Sequence, residues 1–112
     1  MGAQRYTTER AVGFEHGAVT VPEINEILRE LMSRDPVTDE PSDAMVVVQA
    51  NGTARTHYPS VGRFSLSFSS LDAYVADWIR HLEAGRGLFT AEERSRGIAR
   101  FKAWHSTYAE VA

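Results

Sequence analysis

The sequence contains no cysteine, a single lysine and no long apolar segment, and these absences limit what the protein can be. Without cysteine the chain forms no disulfide, no thiolate nucleophile and no cysteine-ligated zinc site. No segment approaches the roughly 20 apolar residues that span a bilayer, and the N-terminal sequence MGAQRYTTERAVGFEHG lacks the apolar run of a signal peptide. We therefore expect a cytoplasmic protein that does not bind membranes.

The composition is that of a folded domain with a small negative charge. Hydrophobic residues make up 43% of the 112 residues, which suffices for one core but not for two independent cores. We predict a single α+β domain over residues 1–112. The formal net charge of −3 lacks the basic excess by which nucleic-acid-binding proteins neutralise phosphates, so we expect no nucleic-acid partner from composition.

Apolar residues at helical spacing predict the first two helices. One helix is predicted over residues 21–34, after Thr20 and Glu23, which have the spacing of a capping box. A second helix, over residues 70–84, follows a serine and ends at a glycine.

A third helix is predicted near the C-terminus. Thr90 and Glu93 repeat the capping-box spacing, and a less regular apolar pattern follows over about residues 91–108.

Residues 44–68 have the alternation of an antiparallel β-meander. We interpret Asn51-Gly52 as a two-residue type I′ turn between two strands, because such turns need positive φ at both central positions. A third strand is predicted over residues 64–68, and weak alternation in the first 20 residues predicts another strand or hairpin. The expected fold is an antiparallel sheet of three to four strands with the first two helices packed on one face.

A two-residue turn would also decide which side chains share a face of the sheet. Ala50 would pair with Thr53, and the face against the helices would then carry Met45, Val47, Ala54, Thr56, Tyr58, Phe64, Leu66 and Phe68. The opposite face, called the outer face below, would carry Val46, Val48, Arg55, His57, Arg63, Ser65 and Ser67.

The outer face is the first of two candidate protein-binding sites. No acidic residue lies between positions 44 and 68 to neutralise its arginines, and arginine beside aliphatic side chains is typical of interface cores. The second candidate is the acidic connection after the first helix, where Asp39, Glu40 and Asp43 could meet a basic partner. The competing interpretation for both is solvation, since antiparallel sheets routinely leave one face to water.

Catalytic and metal-binding patterns are missing from the sequence. The four histidines, His16, His57, His81 and His105, lack the paired spacing of metal ligands. The chain also has no nucleophile elbow and no phosphate-binding loop. The sequence therefore predicts no catalytic residue, no cofactor and no metal ion.

The predicted order of helix, three strands and helix resembles the double-stranded-RNA-binding domain in topology, between about residues 21 and 84. That family bridges phosphates with a basic cluster at the start of its last helix. The corresponding stretch here, SSLDAYVADW, has two acidic residues and no basic one. None of that family's binding residues is carried over to this chain.

Three functions remain open from the sequence. The favoured one is a small non-catalytic protein-interaction module, such as a phage or mobile-element accessory, inhibitor or immunity-type protein, whose partner is another protein or a second copy of the chain. The alternative is a small enzyme or ligand-binding domain with a pocket lined by His57, Tyr58 and Arg63. The third is a weak nucleic-acid binder that uses Arg55 and Arg63 or the basic residues of the last helix.

Overall fold

A computed structural model describes residues 6–32, 43–59, 62–85 and 89–108. In chain order their elements are β1 (Glu9–Arg10), β2 (Val19–Thr20), α1 (Pro22–Leu31), β3 (Met45–Val48), β4 (Ala54–Tyr58), β5 (Arg63–Phe64), α2 (Leu71–Glu83) and α3 (Ala91–Tyr108). The strands form one antiparallel sheet in the order β1-β2-β3-β4-β5. The predicted α+β meander is confirmed, and the N-terminal hairpin brings the sheet to five strands.

The starts of α2 and α3 follow the local sequence signals. Ser70 Oγ accepts a hydrogen bond from the Ala73 N–H at 3.1 Å and so caps α2. At the start of α3, the Glu93 N–H donates to Thr90 Oγ1 at 3.0 Å and the Thr90 N–H donates to Glu93 Oε1 at 2.8 Å. This reciprocal pair is the capping box that the sequence predicts, and the predicted extents of both helices are confirmed.

The start of α1 differs from the prediction. Val21 is the N-cap and offers no side-chain hydrogen bond, and α1 ends at Leu31 rather than at residue 34. Thr20 does not cap the helix, because its hydroxyl donates to the Val46 carbonyl at 2.6 Å and accepts from Asn25 Nδ2 at 2.8 Å. The predicted capping box at Thr20 is therefore wrong.

The turn between β3 and β4 has three residues rather than two. The Gly52 N–H donates to the Gln49 carbonyl at 2.8 Å, and the Gln49 N–H donates to the Thr53 carbonyl at 2.8 Å. Gly52 has a φ of 91°, which suits a type I turn closed by a left-handed glycine. The predicted two-residue turn is wrong, because Asn-Gly also fits the second and third positions of this longer loop.

The extra turn residue shifts β3 by one position against β4 and inverts its two faces. Val46 pairs with Thr56 and Val48 with Ala54, so both valines face the helices. Met45 and Val47 take the outer face instead. The predicted placement of all four β3 residues is therefore wrong.

A β-bulge after β5 separates two aromatic residues that the sequence places on one face. His57 pairs with Phe64 while Ala54 bridges to Phe68, so three residues on the β5 side oppose two on β4. Phe68 packs toward the helices as predicted. Phe64 lies on the outer face, and Leu66 is 83% exposed rather than buried, so these two core predictions are wrong.

The main hydrophobic core lies between the sheet and the three helices. Its buried members are Val21, Ile24, Ile27, Leu28, Leu31, Val46, Ala54, Leu71, Tyr74, Val75, Leu82, Phe101 and Trp104. The helices approach closely at Gly97 of α3, where a β-carbon would lie 3.0 Å from Leu82 Cδ1 and 3.2 Å from Leu31 Cδ1. Among the described residues, no helix combines the length and apolar composition needed to cross a membrane.

Candidate functional site

Three side chains from adjacent strands form the centre of the outer face. Arg55 and His57 alternate along β4 and point away from the helices, as predicted, and Phe64 of β5 pairs with His57. The Arg55 guanidinium carbon lies 3.9 Å from the centre of the Phe64 ring, which is a cation–π contact. The His57 ring lies 4.5 Å from the same ring, so both nitrogen-bearing groups rest on one phenylalanine.

The connection between β1 and β2 covers part of this face. Ala11, Phe14 and Ala18 pack against Val47 and Met45 in a second, smaller hydrophobic cluster. The outer face is therefore neither fully solvated nor fully buried.

Phe14 completes a cluster with the three central residues, and we call Phe14, Arg55, His57 and Phe64 the outer-face cluster. The Phe14 ring meets His57 edge-on at 5.0 Å and Phe64 edge-on at 5.9 Å. Edge-to-face contacts at these distances are favourable because ring edges and faces carry opposite partial charges. Neither phenylalanine was predicted to lie on the outer face, although an aromatic residue in the predicted N-terminal hairpin was a usable signal for Phe14.

Two polar atoms of the outer-face cluster are buried without a hydrogen-bond partner among the described residues. They are Arg55 Nε and His57 Nδ1. Buried polar atoms normally find partners, because leaving one unsatisfied is unfavourable. The cluster therefore holds two nitrogens whose bonding the described part of the chain does not complete.

Two exposed apolar residues are close in sequence to the phenylalanines of the outer-face cluster, and Phe64 is itself partly exposed. Phe64 is 38% exposed, and Val12 and Leu66 are each 83% exposed. Each of the last two lies two positions from a phenylalanine of the cluster. Single exposed apolar residues are ordinary, but these two are close in the chain to the two phenylalanines that contact His57.

The other residues predicted for binding are placed differently. Val46 is buried and Val48 half-buried against the helical core, so neither belongs to the outer face. Arg63 pairs with Tyr58, which puts it on the helix side at the sheet edge. Ser65 lies on that side too, where its Oγ accepts from the Thr56 N–H at 2.9 Å.

The remaining predicted binding residues are exposed or not described. Ser67 and Asp43 are exposed. Asp39 and Glu40 lie outside the described residues.

His57, Tyr58 and Arg63 do not line a common pocket. His57 is on the outer face, whereas Tyr58 follows Thr56 on the helix side, where burial raises the pKa of the Tyr58 phenol. Thr56 Oγ1 in turn hydrogen-bonds the Tyr74 hydroxyl at 2.6 Å, and burial raises the pKa of Tyr74 above its usual range. The Thr56 and Tyr74 hydroxyls belong to the packed core, and Tyr58 is partly buried beside them.

The basic residues of α3 are engaged within the chain. Arg96 pairs with Glu92 at 2.8 Å, Lys102 pairs with Glu83 at 3.2 Å, and Arg100 pairs with Glu30. Arg94 donates to the Phe89 carbonyl at 3.0 Å. Phosphate binding by this helix would have to compete with those partners.

The described residues contain no group of three histidine, aspartate or glutamate side chains that could hold a metal ion. A shallow groove between α1 and α3 is lined by Ile27, Leu31, Gly97 and charged residues that include the Glu30–Arg100 pair. The surface of this groove is almost entirely apolar.

Comparison with known proteins found no match to a family model, a curated protein or a solved structure.

Proposed function

We propose that the protein is a small non-catalytic protein-binding module that contacts its partner through the outer face of the sheet. The observation that carries this proposal is the arginine held on a partly exposed phenylalanine, with the Arg55 guanidinium 3.9 Å from the Phe64 ring centre. An inhibitor or immunity-type protein works by such binding alone.

The chemistry of the outer-face cluster supports an interface. Arginine and aromatic residues are over-represented among the residues that dominate binding energy, and a guanidinium already stacked on a ring loses little freedom when it binds. Among the described residues, the ion pairs engage Arg80, His81, Arg96, Arg100 and Lys102, so Arg55 has no carboxylate partner. A carboxylate or carbonyl of a bound protein would satisfy it.

The two alternative functions receive less support. An enzyme using His57 with Tyr58 would need both side chains in one pocket, and they lie on opposite faces of β4. A nucleic-acid binder using α3 would need basic side chains that are free to contact phosphates. Four basic side chains of α3 already have partners within the chain.

Capture experiments with a double variant test the proposal. We expect tagged wild-type protein to retain a specific protein from extracts of its native host, and the Arg55→Ala/Phe64→Ala variant to lose it. Both side chains point away from the helical core, so the variant should remain folded by circular dichroism.

Arg96→Ala is the matched control, because it also removes one positive charge but from an exposed position on α3. It should capture as wild type does. Unchanged capture by a folded Arg55→Ala/Phe64→Ala variant would overturn the proposal.

A further inference from the structure

β5 is the last strand of the sheet, and backbone groups on its outer edge point away from the sheet. The Ser65 N–H donates to the Thr56 carbonyl at 2.9 Å, and Arg63 pairs with Tyr58. Because hydrogen-bonding directions alternate along a strand, the N–H and C=O of Phe64, between them, point away from β4. No described strand pairs with this side of β5.

Charged and apolar side chains alternate between the two faces along this edge. Arg63 lies on the helix side and is exposed, whereas Phe64 is on the outer face and 38% exposed. Further along the edge, Leu66 is 83% exposed. An added strand would therefore meet a cation on one face and apolar surface on the other.

The charge of the edge selects the partner. No acidic residue lies in the sequence from position 44 to 68, and Arg63 forms no ion pair with the described residues. The opposite edge of the sheet differs, because β1 carries both Glu9 and Arg10. Of the two described edge strands, β5 alone carries charge of a single sign.

We propose that the β5 edge accepts an extended peptide strand in which acidic and apolar residues alternate. This inference rests on the proposed function and names the kind of partner segment. The backbone of the added strand would pair with Phe64, its apolar side chains would extend the Phe64 surface, and its carboxylates would face Arg63. The Arg55 guanidinium, stacked on Phe64, would border the same apolar row.

A second copy of the chain fits this edge less well. The open edge is short, because β5 spans only Arg63–Phe64, so pairing two such edges would bury far less than the roughly 1,000 Å² expected of a stable interface. It would also supply no carboxylate to either Arg63.

The test is a titration of isotope-labelled protein with a blocked peptide of alternating valine and glutamate, followed by NMR. We expect saturable shifts of the Phe64 and Leu66 amide signals. A peptide of alternating valine and lysine should bind about fivefold more weakly, as expected for a reversed cross-strand charge pair. Absence of saturable shifts at these amides, or equal affinity for both peptides, would overturn the inference.

Two protein variants separate backbone pairing from side-chain contact. Phe64→Pro removes the N–H that points away from β4 and should bind the peptide about tenfold more weakly than Phe64→Ala, which keeps that donor. Arg63→Glu should reverse the preference in favour of the lysine peptide. An unchanged preference in Arg63→Glu would contradict the charge assignment.

The failure of this inference is distinguishable from failure of the proposed function. If partner capture depends on Arg55 and Phe64 but Phe64→Pro binds the peptide as tightly as Phe64→Ala does, binding through the outer face is retained and strand addition is wrong. If light scattering shows that the free protein dimerises and that Phe64→Pro abolishes the dimer while Phe64→Ala keeps it, a second copy is the occupant instead.

Discussion

The two faces of the sheet differ in how completely their buried polar atoms are hydrogen-bonded. On the helix side, the three buried polar side chains, Thr20, Asn25 and Thr56, are hydrogen-bonded to one another, to Tyr74 or to the backbone of Val46. The one exception among the described residues of α1 is Glu23 Oε1, which is also buried without a partner. On the outer face, Arg55 Nε and His57 Nδ1 are buried with no partner among the described residues.

Within the described residues, the polar side chains of the helix side are therefore more completely hydrogen-bonded than those of the outer face. Buried polar atoms without partners are unfavourable, and an arginine stacked on a ring is already oriented for binding. The helix side therefore carries most of the stability of the protein, and the outer face is where we propose that a partner binds. Equivalent substitutions on the two faces should accordingly have unequal effects on stability.

The largest expected difference is between two phenylalanines. Phe101 is fully buried and stacks on Trp78 with 5.7 Å between ring centres, so Phe101→Ala should lower the free energy of unfolding by about 3–5 kcal/mol. Phe64→Ala on the outer face should lower it by about 1 kcal/mol, mainly through the lost Arg55 contact. Urea denaturation of both variants measures the difference, and equal losses would mean that the outer face is also core.

The polar bridge between α1 and β3 should produce the next largest effect. The Val46 N–H donates to Asn25 Oδ1 at 2.9 Å, and Asn25 Nδ2 donates to Thr20 Oγ1 at 2.8 Å. Asn25→Ala should therefore lower the free energy of unfolding by about 2–3 kcal/mol, because it leaves a buried N–H unsatisfied. Glu26→Ala, at the exposed neighbouring position, is the control in the same urea titration. Similar stability of the two variants would show that this bridge is dispensable.

The smallest expected effect concerns the buried phenol of Tyr74. Tyr74→Phe removes the 2.6 Å hydrogen bond with Thr56 and should lower the free energy of unfolding by about 1 kcal/mol at neutral pH. Because burial raises the pKa of Tyr74 in the folded state, the unfolded chain ionises first. Stability from this group is complete below about pH 10 and declines as the pH rises further.

Urea titrations at pH 7, 10 and 11 test that sign. Wild type should lose more stability than Tyr74→Phe between the two higher values. Part of the decline should persist in the variant, because the pKa of Tyr58 is also raised. Parallel declines would contradict the assignment of the pH dependence to Tyr74.

The helices were the most predictable part of the fold from the sequence, because their ends depend on neighbouring residues. The Ser70 cap and the box formed by Thr90 and Glu93 are local contacts, and both are present. Thr20 has the same spacing to Glu23, but the nearby carbonyl of Val46 takes its hydroxyl. That competition depends on how α1 packs on β3, which local sequence does not specify.

The faces of the strands were less predictable, because one extra residue reverses a face. The Asn51-Gly52 pair fits a turn of two or of three residues, and the structure has three, which reverses Val46 and Val48. The bulge before Phe68 likewise moves Phe64 to the outer face. Arg55 and His57 were placed correctly because β4 itself is regular, whereas the placement of Phe64 depends on the bulge and that of Phe14 on the packing of the N-terminal hairpin.

Hydrogen exchange on the isolated complex tests the central claim most directly. Protein captured with its partner should show slower amide exchange than free protein in residues 10–18 and 62–68, which contain the outer-face cluster's Phe14 and Phe64. Exchange in α1 and α3 should be unchanged. Slowing confined to α1 and α3, or to the acidic stretch at residues 39–43, would contradict the assignment of binding to the outer face.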